Sequence, residues 1–589
     1  YGGLQDNGSW AGPNATYRSE GILNHDWMKW GGGDGFLNLV DTTNNKILYV
    51  ESQYLGLDRV DVTTGQRQSI RPGDPEGAIG ARKNWTTWRD LNAPEQRLGN
   101  AMAPANWDGP FLISPHDPNT IYAGTNILWR SRDQGRNWEN LGDHTTGVDR
   151  RTLAIMGELP VPETLSLDDG IPYYPTLTAM AESPLEEGVL YIGTDDGNVK
   201  VSRDGGSTWT KVTDRMPGLP SDTWVNGIEG SRFVPGRVYV ATNNYRNDDF
   251  RNYLFASDDY GETWQDITED LPADRVVRVV REDPRNPQVL YLATEFGAFF
   301  SMDRGSHWQD LSLGIPTVAV NDVVVHPRDN DLILGTHGRG IWIFDNLNAF
   351  QEASPAILAS PAHLFSMETA EQIRYRSEKG HTGDMIFRGE NPAPGALMDF
   401  WLDGADKEVS LTVLNQDGEM VASVPATNRK GMNRAVWNLR HSDPDQRQDQ
   451  PPRGPLVVPG EYRVRLEADG MLSEGVLEVR EDPRLNVDPQ VRSQWTADLM
   501  ALGDLARDAA AGAEEIGEVR RRVDEEAAFQ EPLGEWAADL ARQWNELRNR
   551  TRGLAREVEG WVGPLTGDQI SQRAFYREMT ETLRRETRA

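Results

Sequence analysis

The feature that most constrains the fold of this chain is an eight-residue motif, Ser-x-Asp-x-Gly-x-x-Trp, which occurs four times. The copies read SRDQGRNW (131–138), SRDGGSTW (202–209), SDDYGETW (257–264) and SMDRGSHW (301–308). Each copy follows runs rich in β-branched and aromatic residues, such as VLYIGTDDGNVKV before the second copy. Such runs, separated by turn residues, predict β-strands. The repeating unit is therefore strand, turn, strand, motif.

The spacing of the motif predicts a β-propeller. Its tryptophans, at positions 138, 209, 264 and 308, are 71, 55 and 44 residues apart. The shortest spacing matches a four-stranded propeller blade of roughly 40 to 50 residues. We interpret the longer spacings as blades with inserted loops, the largest lying between Gly142 and Pro175. Two runs without the motif, 47–61 and 332–345, have the same strand-turn-strand pattern, so at least six units precede residue 348.

The motif has a structural and a functional interpretation. Its Asp can accept backbone N–H groups of the turn, its Gly supplies a positive φ, and its Trp fills the space beside the sheet. The functional interpretation, four catalytic aspartates, requires that they converge on one substrate. A motif carried once per blade instead places its copies far apart around a ring. We therefore favour the structural interpretation and refer to the motif as a clasp.

Composition excludes two classes of partner. The net charge of −31 repels phosphate backbones, so nucleic acid is not a predicted partner. No run of eighteen apolar residues occurs, so no membrane-spanning helix is predicted. The absence of cysteine excludes disulfides, thiolate metal sites and a cysteine nucleophile, and it leaves the redox compartment undetermined.

The clasp resembles the Asp-box, also called the bacterial neuraminidase repeat, of sialidases, two-propeller xyloglucan-cleaving glycosidases, photosystem assembly propellers and sortilin. The strings GGLQDNGSW, GGGDGF, YIGTDDGNVKVSRDGG and GTHGRGIWIFD resemble more closely the large bacterial sortilin-type proteins often labelled glycosyl hydrolase. This closer resemblance covers roughly residues 1–347. It implies a secreted or periplasmic protein of the bacterial cell envelope. It also implies further blades upstream of Tyr1.

Two segments with different sequence patterns follow the predicted propeller. Between 358 and 484, alternating apolar and polar residues around DG and PG turns predict an immunoglobulin-like antiparallel β-sandwich. From 488 to 589 the apolar period becomes 3.6, which predicts a helical hairpin or a three-helix domain. The predicted fold is therefore mainly β: a multi-bladed β-propeller (1–347), a β-sandwich and a C-terminal α-helical bundle.

The predicted helices have well-marked apolar faces. The second carries Trp536, Leu540, Trp544, Leu547, Leu554, Val558 and Trp561 at spacings of three and four residues. The third begins at TGDQ (566–569), a capping box, and continues through Ile570, Ala574 and Leu583. We favour three helices that pack on one another over a partner-binding coiled coil.

Ligands of propellers bind at the axial mouth, where the inner strands and their loops converge. The candidate ligand-binding residues are polar groups beside the predicted inner strands: Gln5, Asp6, Asn7, His25, Asp26, Trp27, Asp34, Asp195, Asp196, Arg246, Asp248, Asp249, Glu295, His337 and Arg339. For QDNG and GGGDG we favour tight-turn chemistry over a ligand role. GTDDG and THGRG hold the same place in their units as TEFG, so their polar side chains are expected to share one face.

Two hypotheses for function remain open. The leading one is an exported recognition scaffold that binds a peptide, protein or glycan at the axial mouth. The rival is a glycoside hydrolase that cleaves a polysaccharide with an Asp/Glu pair in the same mouth, with Asp6, Asp34 and Glu295 as candidate catalytic residues. A sialidase-like site would instead need three converging arginines, for which Arg246, Arg251 and Arg339 are candidates.

No metal or cofactor site is predicted. The histidines are isolated and lack the i, i+4 spacing of a zinc-binding helix. Calcium is the one ion that the sequence leaves open, at the Asp-rich turns LDDG (167–170) and YRNDDF (245–250). The oligomeric state is not predicted.

Overall fold

The computed structural model of the chain describes residues 1–73, 105–148, 152–154, 157–161, 173–311, 314–378, 383, 385–444, 446–447, 449–525 and 531–588. The chain divides into two compact units. The first consists of Tyr1–Ala353 and Glu378–Pro392, and the second of Ser354–Ser377 and Ala393–Ala589.

The described residues of the first unit form seven antiparallel sheets, numbered here in chain order. Sheet 1 consists of β1 (Gly2–Leu4), β2 (Gly8–Ala11) and β4 (Met28–Lys29). Sheet 2 consists of β5 (Gly35–Val40), β6 (Ile47–Ser52), β7 (Gly56–Asp61) and β8 (Arg67–Ser69). Sheet 3 consists of β9 (Phe111–Ile113), β10 (Ile121–Gly124), β11 (Ile127–Ser131) and β12 (Glu139–Asp143). Sheet 4 consists of β13 (Leu177–Glu182), β14 (Leu190–Thr194), β15 (Val199–Ser202) and β16 (Thr210–Lys211). Sheet 5 consists of β17 (Trp224–Gly230), β18 (Val238–Asn244), β19 (Asp249–Ser257) and β20 (Gln265–Asp266). Sheet 6 consists of β21 (Val277–Glu282), β22 (Leu290–Thr294), β23 (Gly297–Ser301) and β24 (Gln309–Asp310). Sheet 7 consists of β25 (Val320–Val325), β26 (Leu332–Thr336) and β27 (Ile341–Phe344).

These sheets form a β-propeller, as the sequence predicted. The first strands of sheets 2 to 7 (β5, β9, β13, β17, β21 and β25) contact one another from sheet to sheet and are therefore the innermost strands. The Asn14 side chain donates to Asp329 and Asp331, at 3.3 and 3.4 Å, and so links the loop after β2 to sheet 7. A short pair, β3 (Ile22–Leu23) with β30 (Arg388–Gly389), accompanies sheet 1. The unit also contains helix α1 (Asn348–Glu352) and the 3₁₀ turns Asn24–Asp26, Thr213–Arg215 and Tyr245–Asn247.

The aspartate of each clasp is engaged within its own turn. In the second copy, the Ser202 hydroxyl donates to Asp204 at 2.9 Å, and Ser202 Oγ accepts the Gly206 N–H at 2.9 Å. Asp204 also accepts the backbone N–H and the hydroxyl of Thr208, at 2.8 and 2.7 Å. These bonds from Thr208 lower the pKa of Asp204. The other three copies repeat the pattern, with Asp133, Asp259 and Asp303 as acceptors.

Each clasp also braces its sheet against the preceding one. The clasp glycine lies beside an aliphatic residue that follows or belongs to the fourth strand of the preceding sheet: Gly135 beside Ile70, Gly206 beside Leu141, Gly261 beside Val212 and Gly305 beside Ile267. A methyl group added at Gly305 would lie 2.8 Å from Ile267 Cδ1. The indole N–H groups of Trp138 and Trp308 donate across the same interfaces, to Ile70 O and Ile267 O, both at 2.8 Å.

The second unit begins with helix α2 (Pro355–Leu358) and contains a two-sheet β-sandwich. One sheet has the order β28 (Ala362–Leu364), β31 (Ala396–Leu402), β34 (Gly431–Trp437), and the other β29 (Ala370–Gln372), β36 (Met471–Glu481), β35 (Gly460–Ala468), β32 (Val409–Leu414), β33 (Met420–Ser423). Phe400, Trp437 and Val464 are fully buried in its core. The predicted all-antiparallel pattern is broken at β29, which pairs in parallel with β36 because the chain crosses between the sheets after β28.

Three helices, α3 (Pro489–Glu525), α4 (Glu531–Glu559) and α5 (Gly567–Arg588), pack on one another. Their core includes Trp495, whose indole donates to Val558 O at 2.9 Å, and the buried Trp544. The predicted capping box is confirmed, since Thr566 and Gln569 exchange side-chain to backbone bonds of 3.0 and 3.3 Å. The apolar faces are shorter than predicted. Trp561 lies beyond the end of α4 and is 76% exposed, and Trp536 and Ile570 are also exposed.

The bracing contact predicts a loss of stability when a clasp glycine gains a methyl group. Gly305→Ala introduces both a positive φ of 86° at alanine and the clash with Ile267. Gly218→Ala is the matched control, because Gly218 has a φ of 72° and no atom within 4 Å of the added methyl group. We expect the control to lose about 1–2 kcal/mol from the backbone effect, and Gly305→Ala to lose about 1–3 kcal/mol more from overpacking. Equal losses in denaturant unfolding would contradict the bracing role.

Candidate functional site

The edge of the propeller at which the innermost strands begin is called here the axial mouth. Because neighbouring strands are antiparallel, the second strand of a sheet ends where its innermost strand begins. The turns after β14, β18, β22 and β26 therefore all lie at this edge, and they carry Asp195, Asp196, Arg246, Asp248, Glu295, His337 and Arg339. Gln5, Asp6 and Asn7 lie in the turn between β1 and β2 at the same edge, since the Asp6 N–H donates to Asp34, directly before β5, at 2.7 Å.

The structure does not bring His25, Asp26 and Trp27 to the axial mouth. They lie between β2 and β4, whereas Gln5 to Asn7 lie at the opposite end of β2. Burial favours the neutral form of Asp26, but hydrogen bonds from Arg18 and from the Leu23 N–H outweigh it and lower the pKa of Asp26. This turn is held by its own ion pair.

Asp195 and Asp196 are buried and fully engaged. Asp195 accepts the backbone N–H and the hydroxyl of Thr176, both at 2.7 Å. Asp196 accepts the backbone N–H of Thr146 at 2.6 Å and the hydroxyl of Thr194. Burial raises the pKa of Asp196. These carboxyl groups tie neighbouring segments together at the mouth and are buried there.

The turn after β18 and the start of β19 each contain an arginine with its own contacts. Arg251 forms a two-bond ion pair with Asp249, at 2.8 Å for each bond, and this pairing lowers the pKa of Asp249. The Arg246 guanidinium lies over the rings of Trp224 and Tyr245, at 4.1 and 4.6 Å from their centroids. Arg246 and Arg251 therefore have different partners.

The remaining mouth candidates also have backbone roles. Asp34 is buried, and its N–H donates to the Gln53 side chain at 2.9 Å. Asp6 and Asp248 have positive φ values of 63° and 60° in their turns. His337 is exposed and its N–H donates to Ala319 O at 2.8 Å, while Arg339 O accepts the Trp342 indole N–H at 3.0 Å.

Bulges in the innermost strands direct side chains around the axis. The register shifts at Thr178, Asn226 and Arg278, at equivalent places in β13, β17 and β21. Thr178 donates to Val225 O and Asn226 to Arg278 O in the next sheet, both at 2.6 Å. Arg278 instead turns to Glu295, which accepts its Nε–H at 2.9 Å. Glu295 is thus an ion-pair partner at the mouth.

Charged residues of the innermost strands form a chain across three sheets. Arg281 of β21 lies 3.6 Å from Glu229 of β17 and donates to Asp322 of β25 at 3.1 Å. All three side chains retain some solvent exposure. This chain of charges therefore links the innermost strands of sheets 5, 6 and 7. Burial raises the pKa of Glu229, and Arg281 opposes that shift.

Asp108, in the segment that precedes β9, lies close enough to Asp322 for the two charges to interact. It is exposed to solvent at the mouth but enclosed by protein on its other sides. Enclosure and the negative charge of Asp322 raise the pKa of Asp108 to about 6. Sheets 3 and 7 are not neighbours in the ring, so this repulsion acts across the axis. The adjacent Glu51 is buried and accepts the Gly109 N–H at 2.8 Å, and burial raises its pKa well above the usual value.

An aromatic cluster borders Asp108. The ring of Tyr54 lies 5.8 Å from that of Trp107 and 5.2 Å from that of Tyr173, and all three side chains are partly exposed. Tyr54 and Leu55 both have a positive φ, at 62° and 58°. Bulky residues rarely adopt this conformation, and such strain is concentrated at functional sites. The cluster and Asp108 together give the mouth an aromatic wall beside an acid.

The sequence analysis did not identify Asp108, Glu229, Arg281 or Asp322. The available signal was a charged residue within an otherwise apolar innermost strand, as in VVRE and NDVVV. Their convergence is a relation across the ring, so no local pattern contains it. The candidate residues predicted from the sequence lie mainly in turns, where most of their polar groups form hydrogen bonds with the backbone.

The described residues contain no group of three His, Cys, Asp or Glu side chains that could hold a metal ion. In YRNDDF, the Asp249 carboxylate is engaged by Arg251. The other calcium candidate, LDDG (167–170), lies outside the described residues. Over the part of the chain that the structure describes, no helix has the length and apolarity to cross a membrane.

Comparison with known proteins gives one distant relative. No family model matches the chain. It is 22% identical over 328 residues to the oligoxyloglucan-reducing end-specific xyloglucanase of Emericella nidulans, an alignment that covers 50% of this chain and 39% of the relative. The chain thus spans about two fifths of the length of that enzyme.

Several solved propeller structures are also similar. The GH74 xyloglucanase of Xanthomonas campestris is 14% identical, with a TM-score of 0.32 and coverage of 80% of this chain and 81% of that one. The Niastella koreensis GH74 enzyme is 14% identical, with a TM-score of 0.36 and coverage of 80% and 72%. YCF48 of Cyanidioschyzon merolae is 10% identical, with a TM-score of 0.33 and coverage of 56% and 89%. With TM-scores this low, the fold assignment rests on the sheets described above.

The raised pKa of Asp108 predicts the pH dependence of stability. An unfolded aspartate has a pKa of about 4, so between about pH 4 and pH 6 ionisation of Asp108 favours the unfolded chain. We expect Asp108→Asn to raise Tm at pH 7.5 and the difference from the wild type to close as the pH falls to about 4. Asp274→Asn, at an exposed turn, is the control. Calorimetry that shows a pH-independent difference would contradict the assigned environment.

Proposed function

We propose that this chain is a glycoside hydrolase that cleaves a polysaccharide at the axial mouth. The observation that carries the proposal is the pair Asp108 and Asp322, because the negative charge of Asp322 contributes, after burial, to the raised pKa of Asp108. Glycosidases need such a pair, one protonated acid and one carboxylate. The identity to a xyloglucanase favours this hypothesis over the recognition scaffold and suggests xyloglucan as the first substrate to test.

In the proposed reaction, Asp108 is the general acid. It donates its proton to the glycosidic oxygen as the bond between that oxygen and the anomeric carbon breaks. Asp322, oriented by Arg281, acts as a carboxylate toward the anomeric carbon, either directly or through a water molecule. A pKa of about 6 keeps much of Asp108 protonated in mildly acidic solution, as an acid catalyst requires.

The aromatic cluster of Tyr54, Trp107 and Tyr173 is proposed as the surface that holds a sugar ring. One face of a pyranose presents mainly C–H groups, which pack against an aromatic ring while the hydroxyls stay in water. The strained Tyr54 turn supports this role, because it places the ring against both neighbours. A sugar held there would lie beside Asp108.

The finer family assignment is also a proposal. The hydrogen bonds shared by the four clasps support their assignment as Asp-boxes in a sortilin-type propeller protein that is exported. The division into domains 1–347, 358–484 and 488–589 stays a prediction. Limited proteolysis that yields stable fragments with these boundaries would support that division.

Hydrolysis of xyloglucan, followed by reducing-sugar release, tests the catalytic pair. We expect Asp108→Asn and Asp322→Asn each to lower kcat at least 100-fold, with Asp274→Asn unchanged. The wild-type rate should fall as the pH rises above about 6, because the acid is then ionised. Full activity of Asp108→Asn would exclude it as the acid.

The aromatic surface has a separate test. Trp107→Ala should raise KM about tenfold, equivalent to about 1.4 kcal/mol of lost binding, and change kcat less. Trp561→Ala, an exposed tryptophan of the second unit, is the control. If the wild type binds oligosaccharides but does not cleave any of them, the recognition scaffold is the better hypothesis.

A further inference from the structure

A buried tyrosine recurs at the interfaces between sheets, on the second strand of sheets 2 to 6: Tyr49, Tyr122, Tyr191, Tyr239 and Tyr291. Between sheets 5 and 6, the end of the next innermost strand supplies a carboxylate for it. Glu282 accepts the Ser231 hydroxyl at 2.9 Å, the Arg232 N–H at 2.8 Å and the Tyr239 hydroxyl at 3.4 Å. Both carboxylate oxygens have donors, so this buried acid is fully satisfied.

The interface between sheets 3 and 4 has the same plan with one donor missing. Glu182 ends β13 as Glu282 ends β21, and Ser114 and Tyr122 correspond to Ser231 and Tyr239. The position of Arg232 is taken by Pro115, which has no N–H to donate.

Glu182 therefore has an unpaired oxygen. Its Oε1 accepts the Gly188 N–H at 3.0 Å, but its Oε2 has no hydrogen-bond partner, although the residue is only 6% exposed. An unpaired buried carboxylate oxygen is strongly unfavourable. Such a group calls for a donor from outside the chain.

Glu182 is one of the residues that line a cavity of about 210 Å³. One water accounts for about 30 Å³ of liquid, so the cavity has room for a small organic molecule. Its lining residues include Tyr122, Thr120 and Ser114, which carry hydroxyl groups, and the acids Glu187 and Asp204. The Arg130 guanidinium, which also lines the cavity, does not pair with Glu182. It pairs instead with Glu139 at 2.7 Å and donates to Gly205 O at 2.8 Å. The negative charge of Glu182 contributes to the raised pKa of Tyr122, after burial.

We propose that this cavity binds the primary ammonium group of a small molecule, with Glu182 as the acceptor. An ammonium group supplies the N–H donor that Pro115 lacks and a charge that balances the buried carboxylate. The surrounding hydroxyls and the exposed Arg132 at the rim suit a molecule that also carries hydroxyl or carboxylate groups. An amino sugar and a free amino acid share this chemistry. The site lies at the edge of the propeller opposite the axial mouth and does not depend on the proposed hydrolase.

Titration calorimetry on the intact chain tests the site with four probes. Methylammonium carries the minimal group, glycine and glucosamine represent the two sources, and tetramethylammonium has the charge without an N–H donor. We expect saturable binding of methylammonium, tighter binding of either glycine or glucosamine, and none of tetramethylammonium. Equal binding of tetramethylammonium, or no saturable binding of any amine, overturns the proposal. A crystal soaked in the amines that shows ordered water only at Glu182 also overturns it.

Two variants localise the effect. Glu182→Gln keeps the shape of the side chain but removes its charge, and it should weaken amine binding at least tenfold. Pro115→Ala restores an N–H at the position of Arg232, so it should compete with the ligand and weaken binding about tenfold even where Glu182→Gln folds poorly. Pro184→Ala is the matched control, because the residue corresponding to Glu182 at that interface is Gly230. Unchanged affinity in Pro115→Ala would contradict the assigned geometry.

Discussion

The contact between a clasp glycine and an aliphatic side chain of the preceding sheet is the constraint on which the propeller depends. Gly305 has no side chain where Ile267 approaches, so two twisted sheets can pack closely at their outer side. The same serine and aspartate bonds hold each clasp in shape, and an indole hydrogen bond to the preceding sheet reinforces two of them. Because this packing repeats, it positions the sheets from their outer side. The innermost strands are thereby freed to carry charge.

Polar and charged side chains of the innermost strands have two different roles. At the bulges, Thr178 and Asn226 bind the backbone of the next sheet and close the ring from the inside. Farther along the innermost strands, Arg281 links Glu229 and Asp322, whereas the described contacts of Asp108 include no arginine and its pKa is raised by burial and by the charge of Asp322. Charge repulsion at this point lowers stability and at the same time raises the pKa of an acid. At the proposed catalytic site, the charge arrangement therefore lowers local stability.

The sequence was sufficient for the repeated parts of the molecule and insufficient for the parts that depend on convergence. Ser-x-Asp-x-Gly-x-x-Trp predicts a local turn, and the structure has that turn in all four copies, just as TGDQ predicts the cap of α5. By contrast, Asp108 and Asp322 are more than two hundred positions apart and on non-neighbouring sheets. His25 and Glu295 looked alike as polar groups near strands, yet they lie at opposite edges because connections alternate between the two ends of a sheet.

Comparison among the interfaces shows how a repeat architecture acquires distinct sites. The position that ends the innermost strand is a satisfied Glu282 at one interface, an unsatisfied Glu182 at another and Gly230 at a third. The strand order repeats in each case, so the differences arise from single residues: Gly230 at the position itself, and Pro115 in place of Arg232 beside it. A deviation from the repeat changes the hydrogen-bond balance at one interface and leaves the rigid scaffold intact. Departures from the repeat are therefore the places where binding chemistry is expected in a propeller, at its outer interfaces as well as at its mouth.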